Sequence, residues 1–163
     1  VVDILRRGGL SVRTVSVTGS RQVTGSHSIT LEADLLFEEA DYSACTLMVL
    51  PGGLPGTTNL LKHKALMDTL VGFSNSGRPV AAICAAPMIL GAMGLVRGKR
   101  ATIYPGMEDE LQGALVEPAR VVEDDGGVTS QGPATAREFA LALLARMAGQ
   151  ETAERVKGGL LLK

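Results

Sequence analysis

The chain has 163 residues, 45% hydrophobic and 20% charged, a balance that suits one folded domain with a sizeable core and excludes intrinsic disorder. Its 16 Lys and Arg against 17 Asp and Glu leave a net charge of −1, and it has no Trp, two Tyr and three Phe, which argues against a nucleic-acid binder built on a basic face or on stacking aromatics. No apolar run approaches the roughly 20 residues that span a bilayer, and the two cysteines, Cys45 and Cys84, lack metal-ligand spacing and fit a reducing, cytoplasmic setting.

Val2, Leu5 and Arg6 sit at helical spacing, and Gly8-Gly9 stop that helix. The chain opens on Val1 in what reads as the second half of a helix, with no signal-peptide pattern. Residues upstream of Val1 are therefore expected. Ser11 to Thr18 alternates and is rich in β-branched residues, which predicts a half-buried strand. Gly19-Ser20 and Gly25-Ser26 mark a hairpin-like excursion that ends in a short strand, Ile29 to Leu31. Thr46 to Leu50 is a continuous apolar run that stops at Pro51-Gly52-Gly53, as a parallel strand covered on both faces does.

A helix is predicted around His63 to Phe73, with Leu66, Leu70 and Phe73 on one face. Val80 to Ile83 reads as a second buried strand. It runs into Cys84-Ala85-Ala86-Pro87 and then an apolar helix from Met88 to Met93. A strand at Ala101 to Ile103 precedes Tyr104-Pro105-Gly106 and a short acidic helix. Val121-Val122 and Val128-Thr129 flank Asp124-Asp125-Gly126-Gly127, a hairpin signal. Pro133 and the pair Thr135 and Glu138, spaced as a capping box, open a helix that Gly149 closes; Glu151 to Lys157 can form a last one. Strands alternating with helices predict a single α/β domain over residues 1–163 with a largely parallel sheet. Ligands of such folds bind at the carboxyl ends of the strands, where the turns at 51–53 and 84–87 lie.

Cys84 carries the most chemistry. It sits where a buried strand meets a helix, beside the small residues that a tight turn needs. Pro87 suits a first helical turn because it has no amide proton to leave unpaired. A helix N-terminus offers partial positive charge and unpaired amides, which favours the nucleophilic thiolate. The G-x-S-x-G glycines of hydrolase elbows are absent. Gly52 and Gly53 let backbone approach a ligand closely, and the amides of Gly53 and Ala85 can together form an oxyanion hole. Tyr104, at a strand end, either reaches this site or packs. Phosphate loops are dismissed: Met93 stands where a P-loop needs glycine, Arg100 replaces its Ser or Thr, and GGLPG is not GxGxxG. His63 within KHK reads as a solvated helix face, and His27 as a turn or sheet-edge residue. Cys45 reads as a small core residue. The acidic runs at Glu38-Glu39 and at 108–110 read as solvated faces.

At VLPGG, AAICAAP, TIYPG, TSQGPAT and EFALAL the chain resembles the ThiJ/PfpI superfamily, and within it the bacterial-type members of the DJ-one deglycase branch. The likeness runs from Val1 to Lys163. It implies a flavodoxin-like three-layer sandwich and a homodimer, with no cofactor and no metal. It also implies that Cys84 is the reactive, peroxide-oxidisable cysteine. The backbone of Gly52, Gly53 and Ala85 would hold an oxyanion or a sulfinate, and Tyr104 and Pro133 would line the site. Arg7 and His27 would fall at the dimer interface, which in the family uses the first helix and a nearby strand, here about His27 to Leu31. The family's first β-strand and its protonated glutamate would both precede Val1, so an end at Val1 would interrupt the sheet and remove the acid/base. Tyr104 and Gln131 replace a histidine and an arginine of human-type members. Ala85, in place of a histidine, argues against the protease-like PfpI branch.

Two functions follow from the resemblance. One is a cofactor-free glyoxalase or protein deglycase, a lyase or hydrolase, acting on methylglyoxal-type aldehydes or glycated protein through the Cys84 thiolate. The other is an oxidative-stress sensor or redox-regulated chaperone that oxidises Cys84 without turnover. A family member without catalysis is the third alternative.

Overall fold

The structure, a computed structural model, describes residues 1–162. In chain order its elements are α1 (Val2–Arg7), β1 (Val15–Ser16), β2 (Gln22–Thr24), β3 (Thr30–Glu32), β4 (Leu35–Leu36), β5 (Met48–Leu50), α2 (Gly56–Lys62) and α3 (Lys64–Asn75). They continue with β6 (Val80–Ile83), α4 (Pro87–Ala92), β7 (Arg100–Ala101), β8 (Leu115–Val116), β9 (Val121–Asp124), β10 (Gly127–Ser130), α5 (Ala136–Ala148) and α6 (Gln150–Gly159). The main sheet has the order β5-β6-β10-β9. β5, β6 and β10 run parallel, and β9 joins antiparallel through the Asp125-Gly126 turn, with Asp124 opposite Gly127.

β6 shows why its run is apolar throughout. Val80 and Ala82 point into one core layer with Leu66, Leu70 and Phe73 of α3 and Ile89 and Leu90 of α4. Ala81, between them, points into the other, with Ile4 and Leu5 of α1 and Phe139, Leu143 and Leu144 of α5. A strand buried on both faces cannot alternate polar and apolar residues. Helices on both faces of a mostly parallel sheet make the α/β sandwich expected from the sequence. β1 pairs in parallel with β4, but the described residues contain no ladder from that pair to the main sheet.

Several expected elements are shorter, and side chains explain why. Of the strand read at Ser11 to Thr18, only β1 joins a ladder. The Thr14 amide donates instead to the Asp34 carboxylate at 2.8 Å, and the Thr18 amide to Ser16 Oγ at 3.2 Å. The strand read at 101–103 ends at Ala101, because the buried Thr102 amide donates to Thr129 Oγ1 at 2.9 Å. Helix α2 and strand β8 were not anticipated. The former starts on the PGGLPG turn itself, where the Thr57 amide bonds Gly53 O at 2.8 Å and the Asn59 amide bonds Pro55 O at 2.9 Å. The latter is an exposed edge beside β7, held by the Leu115 amide on Lys99 O at 2.8 Å.

Two side-chain readings are corrected. His63 is not on a solvated face: its Nδ1 accepts the Leu66 amide at 3.1 Å and caps α3, and its ring packs 4.7 Å from that of Phe37. The capping box read at Thr135 and Glu138 does not form. Glu138 is held by Arg120 in a two-pronged pair at 2.8 Å, and the Thr135 hydroxyl turns back to Gly132. Cys45 is half-buried, its Sγ donating to Leu47 O at 3.2 Å. Arg78 anchors the segment before β5: Nη1 donates to the carbonyls of Tyr42 and Cys45, and its guanidinium lies 4.1 Å over the Phe73 ring.

Asp34 fastens the N-terminal segment. It accepts from the Thr14 amide, the Thr14 hydroxyl and Arg6 Nη2. The Thr14 amide, then its hydroxyl, and the charge of Arg6 hold the carboxyl below the ordinary carboxylate range. A carboxylate with a depressed folded pKa contributes stability above its unfolded value, about pH 4, and loses it as the pH falls through the folded value. Asp34→Asn is therefore expected to flatten the acid limb of the stability curve. Urea unfolding measured from about pH 5 down to about pH 2 checks this; an acid limb identical to that of the parent rejects it.

Candidate active site

β6 ends at Ile83, and the chain turns at once into α4. Cys84 makes that turn with φ 64°, in the left-handed region that costs an L-residue roughly 1–2 kcal/mol. Bonds on both sides hold it there. The Cys84 amide donates to Ser130 O at the end of β10, at 2.8 Å, and the Cys84 carbonyl accepts the Tyr104 amide at 3.0 Å. Ala86 leads into α4 with helical φ −62° and ψ −28°, and Pro87 takes the first helical position. Cys84 is half-buried and its thiol is free of any disulfide. Among the described residues no side chain hydrogen-bonds Cys84 Sγ.

The Pro51-Gly52-Gly53 turn, at the end of neighbouring β5, lies against this elbow. A Cβ on Gly52 would stand 2.4 Å from Ile83 O and 2.6 Å from Cys84 Cβ, so only glycine fits. Gly53 has φ +89°. Its carbonyl is fixed by the amide of Thr57, at 2.8 Å, and by the Thr57 hydroxyl, at 3.0 Å. Thr57 is fully buried. It had no place in the sequence reading, although a threonine four residues after a glycine turn is the available signal. The Gly53 and Ala85 amides donate to no acceptor among the described residues, although Ala85 is only 3% exposed. A buried amide without a partner is rare in a folded protein.

Tyr104 is half-exposed, and its ring lies against Gly132, where a Cβ would meet Cδ2 at 3.5 Å. Its tie to Cys84 is the backbone amide. Pro133 is exposed and opens a short 3-10 turn that leads into α5. Gln131 is half-buried and donates its amide to Arg120 O at 3.2 Å. The structure thus gathers Cys84, Gly52, Gly53, Ala85, Tyr104 and the 131–133 loop into one region. Arg7 and His27 stand apart from it: Arg7 pairs with Asp3 on α1 at 2.9 Å, and His27 is exposed on the β2–β3 turn. Among the described residues no three His, Cys, Asp or Glu side chains gather as metal ligands, and no helix is long and apolar enough to cross a membrane.

A sandwich that presents a cysteine on a strained turn at the carboxyl edge of its parallel strands falls in the class of elbow-thiol α/β proteins. Residues 1–146 match the DJ-1/PfpI family, and the chain belongs to that family. It is 39% identical over 165 residues to protein DJ-1 homolog B of Arabidopsis thaliana, covering 100% of this chain but 38% of the plant protein; the chain thus spans under half the length of that relative. It is 41% identical over 123 residues to a deglycase of Pyrococcus abyssi, covering 72% of this chain and 74% of that one. The crystal structure of Drosophila melanogaster DJ-1beta superimposes with TM-score 0.94 at 34% identity, covering 99% of this chain and 88% of the fly chain. That of oxidized Toxoplasma gondii DJ-1 does so with TM-score 0.94 at 33% identity, covering 99% and 88%. The fold is the flavodoxin-like sandwich of the DJ-1 structures. These plant, archaeal, insect and protozoan relatives do not single out the bacterial type.

Proposed function

We propose that the protein is a cysteine-dependent, cofactor-free glyoxalase or deglycase for methylglyoxal-type aldehydes and their early adducts. The observation that carries this reading is the pair of unpartnered amides, Gly53 and Ala85, beside the Cys84 elbow; the relative named a deglycase supports it. Cys84 Sγ, as thiolate, adds to the aldehyde carbon, and the C=O electron pair moves onto oxygen. The two amides hold that oxygen as charge develops on it. A proton then leaves the former aldehyde carbon for a base, and another is returned to the ketone carbon, giving a lactoyl thioester on Cys84. Water cleaves the C–S bond and releases lactate and the thiol. Methylglyoxal plus water equals lactic acid, so no external oxidant or reductant is needed. The family resemblance assigns the proton transfers to a glutamate ahead of Val1. The test is lactate formation from methylglyoxal without glutathione, using the natural gene product that contains Val1 to Lys163. Absence of Cys84-dependent lactate overturns the reading.

A second reading is favoured by the oxidized state of the Toxoplasma structure. The same two amides suit the oxygens of a sulfinate, as an oxidation sensor requires. Gain of two oxygens at Cys84 under mild peroxide, with no lactate formed, selects it. We also infer a homodimer. Ile29 and Leu31 lie 65% and 69% exposed on the β2–β3 hairpin, beside His27, and apolar groups presented together at a surface mark contacts. Light scattering is expected to give a dimer mass that falls to the monomer in Leu31→Glu; a monomeric parent chain rejects the inference.

A further inference from the structure

The 131–133 loop is tied to the cysteine elbow by two buried hydroxyls that neither bond the thiol nor cap α5. Ser130 is fully buried and Thr135 is 4% exposed. Four hydrogen-bond contacts join them to their surroundings. Ser130 Oγ is 2.9 Å from Arg120 O, Thr135 Oγ1 is 2.9 Å from Gly132 O and bonded to Ser130 Oγ, and the Gly132 amide donates to Thr135 Oγ1 at 3.1 Å. Each hydroxyl has one proton. Arg120 O can only accept, so Ser130 gives its proton there. With the Ser130 proton committed, the close Ser130–Thr135 contact takes the Thr135 proton, which Gly132 O at 2.9 Å shares as a second acceptor. The result is a one-way chain from the Gly132 amide through Thr135 and Ser130 to Arg120 O.

This chain closes a ring around the elbow. The Ser130 carbonyl receives the Cys84 amide, the Gly132 backbone backs the Tyr104 ring, and the Tyr104 amide returns to the Cys84 carbonyl. Thr135 stands at the N-cap position of α5, yet its side chain bonds no amide of that helix. Its hydroxyl faces backward into the loop, where accepting the Gly132 amide caps the 3-10 turn at Pro133–Thr135; that contact leaves its bond to Ser130 unexplained.

We propose that Thr135 is a positioning residue for the Cys84 site: through Ser130 and Gly132 it holds the 131–133 loop and the Tyr104 ring in register with the elbow. Its effect on turnover rests on the glyoxalase or deglycase reading, whereas its effect on the thiol does not. The test measures the rate of Cys84 alkylation by iodoacetamide against pH in a Cys45→Ser background, and kcat and KM for lactate formation alongside. Thr135→Val keeps the shape and removes the hydroxyl. It is expected to slow alkylation roughly tenfold and displace the pH profile, because one lost buried hydrogen bond frees the loop. Thr135→Ser is expected to restore both. Ser130→Ala, which breaks the chain at its other end, is expected to act like Thr135→Val and serves if the valine variant does not fold. Alkylation unchanged in folded Thr135→Val or Ser130→Ala, or slowed without rescue in Thr135→Ser, overturns the proposal. If the parent protein forms no lactate yet these variants slow alkylation, the positioning role stands and the glyoxalase reading falls.

Discussion

Cys84→Ser is expected to abolish lactate formation while leaving the fold and its melting temperature close to those of the parent, and Cys45→Ser is expected to change neither. The contrast follows from where the two thiols lie. Cys84 sits on a turn with φ 64° between β6 and α4, its amide on Ser130 O and its carbonyl on the Tyr104 amide. Those bonds use only backbone, so exchanging sulfur for oxygen leaves the turn's supports in place. A serine hydroxyl is a far weaker nucleophile at neutral pH unless an adjacent base activates it, and no side chain among the described residues bonds the thiol to act as one. Cys45 instead donates to Leu47 O from a half-buried position ahead of β5, a bond that a serine can keep. Lactate assays on the two variants, with circular dichroism on each, read the difference. Full turnover in folded Cys84→Ser would remove the covalent step from the mechanism.

Gly52→Ala is expected to damage both stability and the thiol site, although it adds one methyl group. The new Cβ would lie 2.4 Å from Ile83 O, 2.6 Å from Cys84 Cβ and 3.1 Å from the Ala85 nitrogen. Those atoms belong to the elbow, not to the far end of a flexible side chain, so the backbone itself has to move. Overpacking of this kind costs about 1–3 kcal/mol, and in a chain of this size each kcal/mol lowers the melting temperature by about 2–4 °C. The displaced groups are Cys84 and the Ala85 amide proposed to hold the substrate oxygen. Turnover is therefore expected to fall further than stability at a temperature where the variant is folded. Gly53→Ala provides the control: nothing lies within 4 Å of its Cβ, and its difficulty is φ +89° alone. Melting curves and lactate rates for both glycine variants separate contact from conformation. Parent-like turnover in Gly52→Ala would show that the 51–53 turn takes no part in the chemistry.

The local signals were strongest where burial forces composition. Val80 to Ile83 had to be apolar throughout because Val80 and Ala82 face one core and Ala81 the other. Gly52 after β5 had to be glycine because its turn touches the elbow at Ile83 O and Cys84 Cβ. These features made the sandwich, the elbow and the neighbouring glycine turn legible from residue type and spacing alone. The Asp-Gly hairpin was legible from its turn residues, and the last two helices from their apolar spacing and the glycine between them.

What the amino-acid order did not reveal were the partners of polar side chains. Thr135 and Glu138 have the spacing of a capping box, yet Arg120, from another segment, claims the glutamate, and Ser130 and Gly132 claim the threonine. His63 looks solvated within KHK until Phe37 and the Leu66 amide are brought to it. Thr14 and Thr102 leave their strands because Asp34 and Thr129 compete for their amides. Thr57 was silent until α2 set it on Gly53. Apolar burial is nondirectional and depends on periodicity, so it is written in the order of residues. A hydrogen bond is directional and takes the nearest suitable atom, and only the tertiary structure decides which atom that is.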